Sequence, residues 1–461
     1  MIAANESQAR NIQKLILAAI LVIYMVVAFL YARSVPKWNA PDEPSHFNYV
    51  KTITQTWTFP ILKQGDYDFA YLEKAKAAKF PDSMPIDSIR YEFHHPPLYY
   101  MLASPFLLLS SGLPIDTQVL ILRLLSALFG ALTIVVTFLI AQHLFPEDKI
   151  LPLAASAFVA FVPMHIFMNA SINNDSLANF LLSALLLALI TSQSRRIKEA
   201  PTTKFMDRDS LLLGVILGLC LLAKVTAYIG VVLVALVIVW QEILQNNWNL
   251  QSFRRLSIFR NAAWRLAKIY VIALVLGGWW FVRNAIVYGN LDIFGLKRHD
   301  LVVVGQPLTG KFGLAAARNF FFLSFKSFWG VFGWMGIFMD ERIYVILGLI
   351  SAVATLGFLL YIVRAWLRPS ELSTHQKFSL FLLFAALALI FAGWFQYNLT
   401  YIQAQGRYLF PTISAIAIFF SLGLREIISK RHAATVFSLL VLGLLALDIL
   451  SLYRFIIPQL R

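Results

Sequence analysis

Two carboxylates, Asp42 and Glu43, stand side by side between Pro41 and Pro44, and His46 follows within one helical turn. If Asp42 opens a helix, the prolines fix its start and the three side chains converge on one point. There they could take a proton from a hydroxyl or hold a divalent cation. The same residues also fit an ordinary helix cap. Asn173-Asn174-Asp175-Ser176 poses that choice a second time, with Asp175 or Asn174 suited to capping the helix that follows. His94-His95-Pro96-Pro97 sets paired imidazoles ahead of Tyr99 and Tyr100, as candidates for a metal or a phosphate; His299 is another. Near the carboxyl end Gln405-Gly406-Arg407-Tyr408 leads into an apolar run. An arginine at the edge of hydrocarbon costs free energy unless it snorkels or meets an anion, and its planar fork suits a phosphate. Arg283, Arg342 and Lys224 pose the same question at three other mouths of apolar runs. Four cations on one side would suit a negatively charged lipid headgroup.

These groups must be positioned by a membrane. The chain has 461 residues, of which 59% are hydrophobic and 14% charged, too apolar for a surface wet on all sides. The first apolar run, Leu15–Ala32, is long for a signal peptide and lacks a small-x-small cleavage site, so it is expected to remain as an anchor. Ten further runs follow: Leu120–Phe145, Leu151–Met168, Leu177–Ile190, Leu211–Leu222, Val225–Trp240, Leu266–Val282, Tyr344–Val363, Phe378–Phe395, Tyr408–Leu424 and Ala433–Tyr453. The fold class expected is therefore an all-α polytopic membrane protein with about eleven transmembrane helices, in one membrane domain over residues 1–461. Leu98–Ser110 is too short to span and opens on two prolines, which points to an interfacial helix. The one cysteine, Cys220, excludes an intramolecular disulfide framework.

Lys and Arg gather in four loops: Arg195, Arg196, Lys198, Lys204 and Arg208; Arg254, Arg255, Arg260 and Arg265; Arg364, Arg368 and Lys377; Arg425, Lys430 and Arg431. The positive-inside rule makes these cytoplasmic, and with them the amino terminus. Parity then puts two large loops, 33–117 and 283–341, outside. Both are rich in aromatic residues, and segments such as Phe312–Phe332 are expected to lie as interfacial helices over a cavity. Asp42, Glu43 and Asp175 fall on the same face. No soluble carboxyl-terminal domain is expected. The net charge of +15 is explained by orientation, so no nucleic-acid partner is expected, and no P-loop pattern for a nucleotide occurs.

At these residues the chain resembles the GT-C superfamily of polyprenyl-phosphate-dependent glycosyltransferases, in a bacterial multi-pass branch near protein mannosyltransferases and aminoarabinose transferases. The resemblance rests on Pro41-Asp42-Glu43-Pro44-Ser45-His46-Phe47, His95-Pro96-Pro97-Leu98-Tyr99, Arg123 with Ser126, Asn174-Asp175-Ser176, Trp280 to Asn284, and Gly406-Arg407-Tyr408-Leu409-Phe410-Pro411, in order over nearly the whole chain. It implies an inverting transfer with Asp42 as general base and Glu43 alongside. Asp175 would hold the acceptor or a divalent metal, and Arg407, then Arg283, would bind the departing lipid phosphate, with Lys224 and Arg342 as further cations. His46, His94, His95, Asn174, Gln405 and Tyr408 are expected to contact acceptor or substrate. Asp42, Glu43, His46 and Asp175 are the candidate ligands of a Mg or Mn ion. The implied partners are a polyprenyl-phosphate sugar, a lipid or cell-envelope glycan acceptor and the lipids of the cell membrane, with an extracytoplasmic active site. The alternative is a flippase for a lipid-linked sugar, which uses the same cations without chemistry.

Overall fold

The computed structural model describes residues 2–198, 207–245, 256–289, 291–310 and 313–460. Lys204, Arg254, Arg255 and Phe312, named above, lie outside the described residues. Helix α1 (Ile2–Ser34) leads to a loop segment holding α2 (Glu43–Thr56), α3 (Phe69–Ala77), a 3₁₀ turn at Tyr91–His94 and α4 (Leu98–Leu109). Then come α5 (Ile115–Leu144), α6 (Leu151–Ala160), α7 (Pro163–Asn169), α8 (Asp175–Lys198), α9 (Arg208–Ala223), a 3₁₀ turn at Val225–Tyr228, α10 (Ile229–Gln245) and α11 (Leu256–Tyr288). A second loop segment carries α12 (Leu296–Val302), α13 (Leu314–Gly330) and a two-stranded antiparallel hairpin, β1 (Val331–Phe332) with β2 (Ile337–Phe338). The chain closes with α14 (Glu341–Leu367), α15 (Thr374–Asn398), a 3₁₀ turn at Gly406–Thr412, α16 (Ile413–Ile427), α17 (Ala433–Leu450), a π-helical turn at Ser451–Ile456 and α18 (Ile457–Leu460).

Among the described residues nine helices are long and apolar enough to cross a membrane, and a bent pair makes a tenth. Two of the eleven expected runs fall outside those nine for physical reasons. Leu151–Met168 reads as one run, but Pro163 lacks an N–H and pushes Val162 to extended backbone, so α6 and α7 meet at 60°. Leu211–Leu222 falls in α9, which at 16 residues is shorter than those nine, yet it returns from Arg208 to bring Lys224 against Asp175 at the start of α8. Helix α4, with 12 residues, is shorter still and exposes Met101, Leu102, Phe106 and Leu109, as an interfacial helix does. Helix α13 likewise exposes Leu314, Phe321 and Phe322.

Helices α5 and α8 form the centre, with 72% of their apolar windows buried against 22% for α14, which lies at the periphery. Where α14 crosses α16, Gly357 and Gly423 let the backbones touch: a Cβ on Gly357 would stand 2.0 Å from the Gly423 carbonyl oxygen.

One buried ion pair ties the first loop segment to this centre. Arg123 of α5 donates to Glu43 through Nε at 2.8 Å and Nη2 at 2.6 Å. Its remaining N–H groups reach the carbonyls of Ala32, Val35 and Pro36 at 2.7 to 3.1 Å, so all five donors are used. Glu43, wholly buried, also accepts from the backbone N–H of Trp38 and of Ile172 at 2.9 and 3.1 Å. The end of α1, the start of α2, helix α5 and the α7–α8 link therefore meet at one carboxylate. Removing one partner of such a pair strands the other charge and costs about 3–5 kcal/mol. Glu43→Gln is expected to lower the melting temperature in detergent far more than an exposed change such as Arg342→Gln, and Glu43→Gln with Arg123→Met is expected to recover part of the loss.

Candidate active site

Asp42 immediately precedes α2 with φ at +66°, a left-handed conformation that aspartate tolerates better than most residues. Its carboxylate makes no cap hydrogen bond to α2. The backbone turn instead presents it to a cavity of about 810 Å³ whose wall includes Asp42, His46, Asp175, Lys224, Arg407 and Tyr408. The Tyr91 hydroxyl donates to Asp42 Oδ1 at 2.8 Å and Arg407 Nη2 to Oδ2 at 2.9 Å. Burial and the neighbouring Asp42 hold the Tyr91 phenol well above its usual range, so it stays a donor.

The capping choice at the second group resolves in the same way. Asn173, not Asn174 or Asp175, caps α8 by accepting from Ser176 N at 3.1 Å. Asp175 is left to face the cavity, where Lys224 Nζ meets it at 2.8 Å. Lys224 stands at the extended break between α9 and the following 3₁₀ turn. Burial pulls its ammonium pKa down, but Asp175 and Glu92 outweigh that and raise it, so it keeps its charge. Arg407 is placed by Gly406: a Cβ there would stand 2.2 Å from the Ser324 carbonyl oxygen of α13, so only glycine lets the turn seat against that helix. Gln405 Oε1 then accepts from Arg407 Nε at 2.7 Å.

The same cavity is lined by a cluster of rings. His46 Nδ1 is 2.9 Å from the Tyr100 hydroxyl, and the His46 and His95 rings stack at 6.3 Å. His94 stands 4.2 Å from His95 and 4.6 Å from His299, and Glu92 pairs with His95. Burial opposes the Glu92 charge, but His95 beside it holds the carboxyl well below the usual range. Burial pushes the His94 imidazole well below its usual value, helped by His95 and His299.

Ten expected residues thus share one cavity: Asp42, His46, His94, His95, Asp175, Lys224, His299, Gln405, Arg407 and Tyr408. Four others do not line it. Glu43 points away, with Arg123 and two backbone amides on its oxygens. Arg283 donates to the Phe59 and Pro60 carbonyls and lies 4.7 Å from the Trp280 ring centre. Arg342 is exposed on the first turn of α14. Asn174 is buried, and its side-chain amide has no partner. The expected metal ligands do not fit an ion. Glu43 is turned away, Asp42 and Asp175 each carry a cation, and among the described residues no three His, Cys, Asp or Glu side chains converge. Tyr91 and Glu92 were missed. The i, i+3 spacing of Glu92 and His95, which brings the pair together across the 3₁₀ turn, was the available signal for the second.

Burial drives the His46 pKa down to about 4, against the upward pull of Glu92 and Asp42. An unfolded histidine binds its proton near pH 6.5 and this one only near 4, so stability is complete above about 6.5 and falls as pH drops toward 4, by about 3 kcal/mol. Thermal inactivation of His46→Gln is expected to depend less on pH across that window than that of the parent.

Residues 95–288 match the family described as dolichyl-phosphate-mannose-protein mannosyltransferase. No protein of curated function matches the chain by sequence. In three dimensions the chain is similar to ArnT from Cupriavidus metallidurans in the apo state, with TM-score 0.53, 15% identity and coverage of 98% of this chain and 74% of that one. Its likeness to the same protein bound to undecaprenyl phosphate has TM-score 0.51, 16% identity and coverage of 97% and 73%. It is also similar to the oligosaccharyltransferase AglB from Archaeoglobus fulgidus in complex with an inhibitory peptide and a dolichol-phosphate, with TM-score 0.51, 14% identity and 95% of this chain covered. The chain spans 54% of that enzyme's length. It therefore carries the GT-C glycosyltransferase fold as a multi-pass membrane protein, with the match to the mannosyltransferase family falling on residues 95–288.

Proposed function

We propose that the protein is an inverting glycosyltransferase that moves one sugar from a polyprenyl-phosphate donor to a lipid or cell-envelope glycan acceptor. The observation that carries this is the meeting of Asp42 with two cations, the buried Arg407 and the largely covered Lys224, in one cavity. The cavity also has an apolar wall, from Leu323, Leu389, Ile390, Trp394 and Ile402, suited to the first isoprene units of a lipid. The proteins that share the fold include one bound to undecaprenyl phosphate and one bound to a dolichol-phosphate. The amino terminus would be cytoplasmic and the cavity extracytoplasmic, in the cell membrane, as the basic loops require.

In this reaction Asp42 takes the proton of the acceptor hydroxyl. Two of its roughly four lone-pair positions are used by Tyr91 and Arg407, so it can still accept that hydrogen bond. The acceptor oxygen bonds to the anomeric carbon from the face opposite the phosphate, and the carbon–oxygen bond to phosphate breaks with its electron pair on the leaving group. Arg407 and Lys224 stabilise the charge that develops there. Asp175 orients Lys224, while Glu92 with His95, and His46, His94, Gln405 and Tyr408, are placed to contact sugar or acceptor hydroxyls. No nucleotide takes part, because the sugar–phosphate bond supplies the energy.

Purified protein given a labelled polyprenyl-phosphate sugar and envelope glycolipids is expected to release free polyprenyl phosphate and form a product of inverted anomeric configuration. Asp42→Asn, folded as judged by melting, is expected to lose about 10²–10⁴-fold in rate. Donor that crosses a vesicle membrane chemically intact would mark a flippase instead, and full activity in Asp42→Asn would remove the base.

A further inference from the structure

Resting on the transferase function above, we propose that Asp42 and the lipid phosphate compete for the Arg407 guanidinium, so that the proton taken up by Asp42 hands Arg407 to the departing phosphate. Re-formation of the Asp42–Arg407 pair then expels the product.

The geometry that leads here is the partner set of Arg407. Nη2 meets Asp42 at 2.9 Å, Nε meets the neutral amide oxygen of Gln405 at 2.7 Å, and Nη1 faces the Met168 sulfur at 3.5 Å, a weak acceptor. Asp42 is thus the one anion hydrogen-bonded to this guanidinium among the described residues. Arginine cannot lose its proton, and this side chain is only 6% exposed, so its charge needs an anion from Asp42 or from elsewhere. The other ionisable groups facing Asp42 cannot substitute. Tyr91 from the 3₁₀ turn donates to Asp42 itself, Glu92 is taken by His95, and Asp175 of α8 is taken by Lys224. His46 of α2 and Tyr408 beside Arg407 are not anions.

Transfer changes both competitors at once. The acceptor O–H bond breaks and its proton lands on Asp42, which becomes neutral and loses its hold on Arg407. The anomeric carbon–oxygen bond breaks and the lipid phosphate goes from a diester with one negative charge to a monoester that can carry two. The guanidinium therefore exchanges an aspartate for a phosphate at the moment when the leaving group needs it. When the proton passes from Asp42 to water, the carboxylate returns and the phosphate is displaced. Coupling of this kind is reciprocal: whatever neutralises Asp42 must strengthen phosphate binding.

The test is the affinity of the full chain in nanodiscs for undecaprenyl phosphate, with melting curves for every variant. Asp42→Asn, a permanently neutral stand-in for protonated Asp42, is expected to bind about tenfold more tightly than the parent. Arg407→Gln is expected to bind about tenfold more weakly, and Asp42→Asn added to it is expected to bring no gain. Should Asp42→Asn not fold, Asp42→Ser makes the same comparison. Equal or weaker binding in the Asp42 variant, with Arg407→Gln still weak, overturns the competition and leaves the transferase standing. Unchanged binding in Arg407→Gln overturns the competition and, with it, the phosphate site on which the transferase function rests.

Discussion

The ion pair between Glu43 and Arg123 is the constraint on which the rest of the site depends. A charge taken out of water is tolerable only if every donor and acceptor finds a partner, and here five guanidinium donors and two carboxylate oxygens are all engaged. The partners come from four separate segments, so satisfying one pair fixes how the end of α1, the start of α2, helix α5 and the α7–α8 link meet. Asp42 is the next residue. With Glu43 held on one side and Pro41 on the other, the left-handed backbone at Asp42 aims its carboxylate into the cavity rather than back at its own helix. The paired acids of the first loop therefore divide their work, one holding the fold and one facing the cavity.

Inside the cavity, electrostatics follows a second rule: each acid is matched with a base. Asp42 has Arg407, Asp175 has Lys224 and Glu92 has His95. A site balanced in this way offers a metal little uncompensated negative charge. It suits an anionic ligand that can trade places with a carboxylate. Apolar residues and a histidine cluster line the same cavity as the cations, which offers such a ligand contacts for both lipid and hydroxyl-bearing groups.

Much of this was legible in the sequence, and the parts that were not have physical reasons. Proline on both sides of Asp42-Glu43 marked a constrained helix start, and cations at the mouths of apolar runs marked a common face. Charge patterning could not say which of the two acids would be buried, because the deciding partner, Arg123, is 80 positions away. Capping propensity pointed equally to Asn173, Asn174 and Asp175, and only the backbone path at the α7–α8 link selects Asn173. Arg283 looked like Arg407 by position, yet carbonyls of the loop before α3 and the Trp280 ring occupy it. The bend at Pro163 and the 16-residue length of α9 were not legible, since hydropathy measures apolarity and not length of unbroken helix.

The central claim is that Asp42, Arg407 and Lys224 form one phosphate-handling centre, and the most direct measurement is a cryo-EM structure of the protein in nanodiscs with undecaprenyl phosphate. The account predicts phosphate density between Arg407 and Lys224, with the lipid chain against Trp394 and Leu389 and the Arg407–Asp42 separation longer than the 2.9 Å seen here. Phosphate bound at Arg283 or Arg342, or an empty cavity with lipid bound elsewhere, would contradict it.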